Sequence, residues 1–449
     1  MALEEIRKER INKLGVFRTN NLDPFPAKSR RSNLIEEVLN KFSSFSKSKK
    51  KIVLSGRVMA KREHGGSSFV DIEDGSGKIQ VYFKKDLLKV SYDLFVETVD
   101  IGDFVEAGGK LFKTKRGEET IEVTEWTILS KSLRPLPEKW HGLQDVEERF
   151  RKRYLDLLMN KQVRERFETR SKIIRYLREF FDKNEFLEVE TPILQTVPGG
   201  ATAKPFKTHL NALNLDLYLR IAPELYLKEL LVGGFEKVYE IGRMFRNEGI
   251  DVVHNPEFTM IEGYIAYQDS GYLRIFLRQM LEKVVRKINN SPVVVYEEKS
   301  IDFSKPFKEI SYDELIKESG DFDAAKKNLI QPTFVLGFPN EKLPLAKAEA
   351  KNPKKADAFQ LIVGGIELIK AFSEQNDPLV QRERFLDQEK LRGAGDEEAQ
   401  RLDENFLEAL EYGMPPACGF GIGIDRLAVL LTDSRSLREI ILFPTMKPK

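Results

Sequence analysis

From Lys51 to about Ser130 apolar and polar residues alternate in five short runs, KIVLSGRVMAKR, SSFVDIED, GKIQVYF, DFVEAGGKLFKT and TIEVTEWTIL. Alternation sends successive side chains to opposite faces, the mark of half-buried strands. Turn signals at His64–Gly66, Asp74–Gly77 and Gly108–Gly109 divide the runs, and one short helix is predicted over Lys84–Thr98. Further on, VRERFETRSKIIRYLREFFDKNEF carries Val163, Phe167, Ile174, Leu177 and Phe181 on one helical stripe, and LEVETPIL with Pro192 reads as an edge strand. KVYEIGRMFR and EFTMIEGYIAY alternate again around a loop, which predicts two antiparallel strands. Period two groups Arg246 with Met244 and Glu248, and Phe258, Met260, Glu262 and Tyr264 on one face of the return strand. Such a polar row on apolar strands is costly unless it lines a polar pocket, the plainer alternative being a hairpin with one face in water.

The first patterned region reads as a five-stranded OB-fold barrel, an architecture that binds oligonucleotides through aromatic and strand-borne polar side chains. Before it, residues 2–14 have helical spacing with Ile6, Ile11 and Leu14, and NNLDPFPAKSRRS breaks regular structure. Lys28, Arg30, Arg31 and the KSKKK run ending at Lys51 make a basic leader, read as a solvated charged arm, with phosphate contact as the alternative. SLRPLPEKWHGL, Ser132 to Leu143, has the Pro and Gly content of a linker. Residues 267–335 hold the helix YLRIFLRQMLEKVVRKI and then a weak pattern.

A chain of 449 residues with 41% hydrophobic content can bury a large core, and its length suggests two or three domains. Charged residues make up 32%, yet the net charge is +2, so any nucleic-acid surface has to be local. The single Cys418 excludes an internal disulfide and Cys-rich zinc sites, and fits a reducing, cytoplasmic setting. No apolar run reaches the roughly 18–20 residues of a membrane helix, and MALEEIRKER is unlike a targeting segment.

In GFGIGIDRLAVLL, Gly419, Gly421 and Gly423 fall on one face of a strand and leave it bare for a flat group or another backbone. Asp425 is placed to cap the following helix, and Arg426 opens it. The spacing is GxGxG, not the GxGxxG of a dinucleotide fingerprint, and neither Gly77-Lys78 nor Gly109-Lys110 completes a P-loop.

Arg246-Asn247-Glu248 followed by His254-Asn255-Pro256-Glu257-Phe258-Thr259 resembles motif 2 of the class II aminoacyl-tRNA synthetases, in the form of the lysine enzymes of the Asp/Asn/Lys subgroup, bacterial type. LEVETPIL resembles motif 1, and the glycine strand resembles motif 3. The resemblance implies an α+β multidomain protein. Its parts are a helical and basic extension over 1–50, an anticodon-binding OB-fold over 51–130, a linker over 131–150, and a catalytic domain over 151–449 built on an antiparallel sheet flanked by helices. Motif 1 spans about 164–193, motif 2 about 238–267, an insertion about 268–335 and motif 3 about 419–446. The implied activity is lysine:tRNA ligation, with ATP as substrate, Mg²⁺ as cofactor, tRNA(Lys) as partner and a homodimer built on motif 1.

Residue roles follow from the same resemblance. Arg246 and Arg426 are the catalytic cations, and Arg246, Glu248, His254, Asn255, Phe258, Glu367 and Arg426 hold ATP. Glu224 and Glu374 are the acids that select lysine, with Gly200, Arg246, Glu262, Tyr264 and Phe372 completing the pocket. In the barrel, Phe69 stacks the central anticodon base, Gln80 reads its edge and Arg62 supports the backbone. Two positions depart from the family pattern. In QLIVGGIELIKAF a metal-binding Glu is replaced by Gln360 and an Asn by Lys370, while Glu367 survives, so weaker Mg²⁺ binding is predicted. Lys370 has three readings: a partner of the substrate carboxylate, a partner of phosphate, or an ammonium that enters the acidic pocket and competes with lysine. The alternatives to a lysine ligase are an aspartate or asparagine ligase, a protein-lysylating paralogue, and a regulatory binder of tRNA or lysine that has lost catalysis.

Overall fold

In the computed structural model, which describes residues 2–137, 145–317 and 319–448, the five alternating runs become strands β1 (Ile52–His64), β2 (Ser67–Glu73), β3 (Lys78–Lys84), β4 (Phe104–Lys113) and β5 (Glu119–Ser130). They close in the order β1-β2-β3-β5-β4, antiparallel except for β3 beside β5. The inward positions of the alternation, among them Leu54, Val70, Ile72, Val81 and Val123, are fully buried. Gly108–Gly109 is not a turn. It is a bulge inside β4, where the ladder with β5 shifts register. The helix expected over Lys84–Thr98 is two helices, Lys85–Leu88 and Val90–Thr98, divided at Lys89, whose φ is 52°. Three further helices, Leu3–Thr19, Ile35–Asn40 and Phe42–Ser48, bury Phe17, Ile35, Val38 and Phe42 in the barrel's core. The basic leader is therefore held down in part. Arg30 pairs with Glu106 at 2.8 Å and Arg31 approaches Asp74 at 3.9 Å, whereas Lys28, Lys47, Lys49 and Lys50 are exposed.

The chain separates into two compact units, Met1–Gly142 and Leu143–Lys449. Of the linker read at 131–150, residues 138–144 lie outside the described residues. Lys131 belongs to the barrel, its ammonium buried between Asp100 and Asp103, and Val146–Arg151 is helical.

In the second unit the main sheet has eight strands: β6 (Leu187–Glu188), β7 (Lys237–Phe245), β8 (Glu257–Ala266), β9 (Lys308–Ser311), β10 (Thr333–Leu336), β11 (Ala358–Val363), β12 (Ile366–Ser373) and β13 (Ala417–Gly423). Their order is β9-β10-β11-β12-β13-β8-β7-β6. The six central strands are antiparallel, as expected, and one parallel strand is added at each edge, β9 beside β10 and β6 beside β7, so the whole sheet is mixed. Residues 268–335 are more than an insertion, since they supply β9 and β10. Their strands are only four residues each, too short for the alternation to stand out.

One face of this sheet carries the core. The helices Lys161–Lys183, Ser270–Asn289 and Ile424–Leu431 press Ile173, Leu177, Phe181, Leu277, Met280, Leu427 and Leu430 into one cluster with Ile261, Ile369, Phe420 and Ile422. In the first helix the buried set is Val163, Ile173, Leu177, Phe180 and Phe181, and Phe181 stacks on Tyr239 at 4.8 Å. Phe167 and Ile174 of the predicted stripe are half-buried.

Candidate active site

The opposite face of the central strands is polar, and its floor is set by register. Gln360, Lys370, Gly421, Glu262 and Glu240 are successive cross-strand neighbours from β11 to β7. The adjacent rung runs Ala358, Phe372, Gly419, Tyr264 and Val238. Gly419 and Gly421 leave the middle of both rungs bare. A Cβ on Gly419 would lie 2.3 Å from Glu374 Oε1 and from the Tyr264 ring, and one on Gly421 would lie 2.4 Å from Met260 Cε. The approach of the Tyr264 ring requires glycine at 419, whereas at 421 the flexible Met260 end would have to move aside.

Strict alternation would put Glu367 and Lys370 on opposite faces of β12. The β11–β12 ladder shifts register at Leu361/Ile362, and both Leu368 and Ile369 enter the core. This bulge restores Glu367 to the face of Lys370 and Phe372, and all three line one cavity. The cavity is also lined by Gly200, Glu224, Arg246, Glu248, His254, Asn255, Phe258, Glu262, Tyr264, Gln360 and Arg426. The structure thus gathers every predicted pocket residue except Glu374, which lies beneath the surface over Gly419.

At one end of the cavity are three buried carboxyl groups, Glu224, Glu262 and Glu374. Glu224 and Glu374 do converge, but around an ammonium of the chain itself. Lys228, fully buried and one helical turn after Glu224, pairs with Glu224 Oε1 at 2.6 Å and Glu374 Oε2 at 2.5 Å. Burial alone would lower the Lys228 pKa, but the two carboxylates outweigh it and the ammonium titrates above its ordinary range. Lys370 therefore does not fill this position. Glu374 Oε1 is buried without a hydrogen-bond partner. Burial and then repulsion from Glu224 push the Glu262 carboxyl up to about 8, and burial is also the first cause that lifts Glu374 and Tyr264 well above their ordinary values. The Tyr264 hydroxyl donates to Glu262 Oε2 at 3.3 Å. Glu240, on the Glu262 rung, is neutralised by the buried Arg220, which also donates to the Arg243 carbonyl at 2.9 Å.

Beyond the acids, Arg246 continues the β7–β8 ladder through its N–H to the Pro256 carbonyl at 2.9 Å, and its guanidinium lies 5.1 Å from the Phe258 ring centre. Arg246 Nε is buried without a partner, and burial lowers the guanidinium's pKa against the pull of Glu248 and Glu262. Asn255 donates to the Glu257 carbonyl at 2.6 Å, and His254 contacts Asp251 at 2.8 Å. Asp425 does not cap its helix, whose preceding residue is Gly423. Its Oδ2 accepts from the Thr259 N–H at 2.8 Å and its Oδ1 from Arg170 at 2.7 Å, which ties β8 to the helix carrying Arg426. Arg426 donates to the Glu367 carbonyl oxygen at 3.1 Å and stands 3.7 Å from its carboxylate.

The donors for a protein-held metal ion are few. Glu367 offers one carboxylate and Gln360 one buried amide oxygen without a partner, and no group of three or more His, Cys, Asp or Glu side chains suited to a metal occurs among the described residues. These residues do not fit a metal site built from several carboxylates. They fit an ion that arrives already bound to a ligand's phosphates.

On the barrel, Phe69 stacks on Tyr82 at 4.6 Å, and Tyr82 lies 6.0 Å from Phe112, so three half-buried rings form one platform. Arg62 is exposed at 3.8 Å from Asp71, and the Gln80 side-chain amide oxygen accepts from the Thr120 hydroxyl at 3.1 Å.

Residues 145–447 match the family model described as tRNA synthetases class II (D, K and N), and residues 52–129 match that of an OB-fold nucleic acid binding domain. The chain belongs to the class II tRNA synthetases. Lysine–tRNA ligases of Thermoanaerobacter pseudethanolicus and Carboxydothermus hydrogenoformans are each 46% identical over the full chain, covering 97% and 99% of those proteins. That of Pelotomaculum thermopropionicum is 47% identical over the full chain and 96% of its own length. The first of these alignments spans 486 positions against 449 residues here, so that synthetase carries segments this one lacks.

Lys228, Arg220 and the Asp425 anchor escaped the sequence reading of this synthetase. Lys228 had a visible signal, since Glu and Lys four apart on a helix face are neighbours. The other two depend on partners distant in sequence.

Proposed function

We propose that the protein joins L-lysine to tRNA(Lys) in two steps. A lysine carboxylate oxygen attacks the α-phosphorus of ATP, forming lysyl-adenylate and releasing pyrophosphate. A hydroxyl of the tRNA 3′-terminal ribose then attacks the lysyl carbonyl, and AMP leaves. The observation that carries this reading is the buried carboxyl cluster beside a glycine floor, with Arg246 and Arg426 beyond it. Glu262, Glu374 and Tyr264 receive the side-chain ammonium. Glu224 and the backbone near Gly200 receive the α-ammonium, and Phe372 packs the aliphatic stem. Arg246, with a planar fork of donors, bridges the lysine carboxylate and the α-phosphate. Phe258 and Arg426 sandwich the adenine, whose amino group donates to Glu248, and His254 and Asn255 meet the phosphates. No general base is needed, because positioning and charge stabilisation supply the rate. Mg²⁺ enters with ATP as part of the substrate.

In the barrel, the Phe69–Tyr82–Phe112 platform stacks anticodon bases, with Gln80 and Arg62 at its margin. Exposed Leu187, Ile193 and Leu194, which follow the Lys161–Lys183 helix in the chain, support a homodimer interface there. A cytoplasmic location follows from this role. ATP/pyrophosphate exchange with lysine, aspartate and asparagine in turn is the test. Exchange with lysine alone is expected, and exchange driven by aspartate or asparagine, or by none, would overturn the reading.

A further inference from the structure

The cavity holds a cation that the scheme above leaves unused. Lys370 stands on the cavity face of β12 and makes no side-chain hydrogen bond or ion pair with any described residue. Its cross-strand neighbour on one side is Gln360, whose amide oxygen is buried without a partner, and on the other the bare Gly421. The acid cluster is not its counterion. Glu262 lies on the far side of Gly421, two strand spacings or roughly 10 Å away at the backbone, and the ammonium position between Glu224 and Glu374 is taken by Lys228. The one carboxylate on its own strand face, Glu367, already stands beside Arg426. A flexible ammonium placed beside open floor, next to an unpaired acceptor and a single engaged acid, suits a polyanion that enters from outside.

We propose that Lys370 is a phosphate-binding residue of the reaction centre, a fixed cation standing where the donor set is too poor to hold a divalent ion. The inference rests on the ligase reading and deepens it. Lys370 donates to oxygens of the ATP phosphates and forms no covalent bond. Gln360 belongs to the same arrangement, because a carboxylate there would face Lys370 across the ladder and neutralise it.

The test is ATP binding to the full chain by calorimetry in excess EDTA, so that no metal contributes. The unmodified protein is expected to bind metal-free ATP, and Lys370→Asn to weaken that binding by about tenfold or more. Lys370→Met, which keeps the aliphatic stem, is expected to lose as much. In parallel, Mn²⁺ bound with a non-hydrolysable ATP analogue is counted by electron paramagnetic resonance. The double variant Gln360→Glu/Lys370→Asn is expected to hold more ions per site than the unmodified protein. Unchanged metal-free ATP affinity in both single variants, or equal ion counts, would overturn the assignment. Lysine-dependent pyrophosphate exchange by the unmodified protein separates the two levels. If it is present and the variants bind as before, only the Lys370 role falls. If it is absent, the ligase reading falls with it.

Discussion

Glu262 has a cost and a use that pull in opposite directions. A carboxyl group pushed up to about 8 is largely protonated at neutral pH in the free protein, yet a bound ammonium favours the carboxylate. Lysine binding at pH 7 should therefore release protons, and the apparent lysine Kd should rise as pH falls below about 8. Calorimetry in buffers of different ionisation enthalpy measures both. The sign for stability is the reverse. A carboxyl whose folded pKa is raised contributes stability that is full below the ordinary carboxyl range and is lost as pH rises through about 8. Glu262→Gln should thus raise the melting temperature, by about 2–4 °C for each kcal/mol relieved, and more at pH 9 than at pH 6, while abolishing tight lysine binding. Lys228 shows the complementary case. Removing one member of a buried ion pair leaves the other charges uncompensated, and Lys228→Met should destabilise the second unit by about 3–5 kcal/mol, read by urea denaturation. A destabilisation under about 1 kcal/mol would mean that Glu224 and Glu374 are held by other groups.

At the level of elements, the site depends on register more than on any single strand. The motif 2 hairpin was legible because β7 and β8 are nine and ten residues long and alternate cleanly, so Arg246, Phe258, Glu262 and Tyr264 could be placed on one face. The glycines of β13 were legible for the same reason. Strand β12 was not. Its bulge adds one core residue between Glu367 and Lys370, and a run such as IELIKAF does not announce where alternation breaks. The short parallel edges β9 and β10 were hidden by length, and the Gly108–Gly109 bulge passed for a turn because both use glycine. Gly419→Ala tests the floor. Its methyl group would meet Glu374 Oε1 and the Tyr264 ring at 2.3 Å, so the lysine KM should rise at least about tenfold, a loss of roughly 1.4 kcal/mol. Metal-free ATP affinity, measured at the other end of the cavity, should change far less.

The whole molecule has two cores. The barrel and its helices bury Phe17, Phe83, Phe95 and Trp126 together, and the second unit has its own cluster around Phe181 and Phe420. A domain with its own core can fold alone. A chain of residues 145–449 should accordingly keep lysine-dependent pyrophosphate exchange and lose most of its tRNA affinity, checked by exchange assay and filter binding. Loss of exchange in a folded fragment would show that the first unit is needed for the first reaction step. The bare strand β13 has a consequence for how the amino-acid preference can drift. Along β13 the floor is drawn by main chain, and point substitution at Gly419 or Gly421 adds bulk before it can add a new contact. Selection for another amino acid is therefore channelled to the flanking strands β8 and β12 and to Glu374 just after β12, where side chains can be exchanged singly while the nucleotide half of the site keeps its shape.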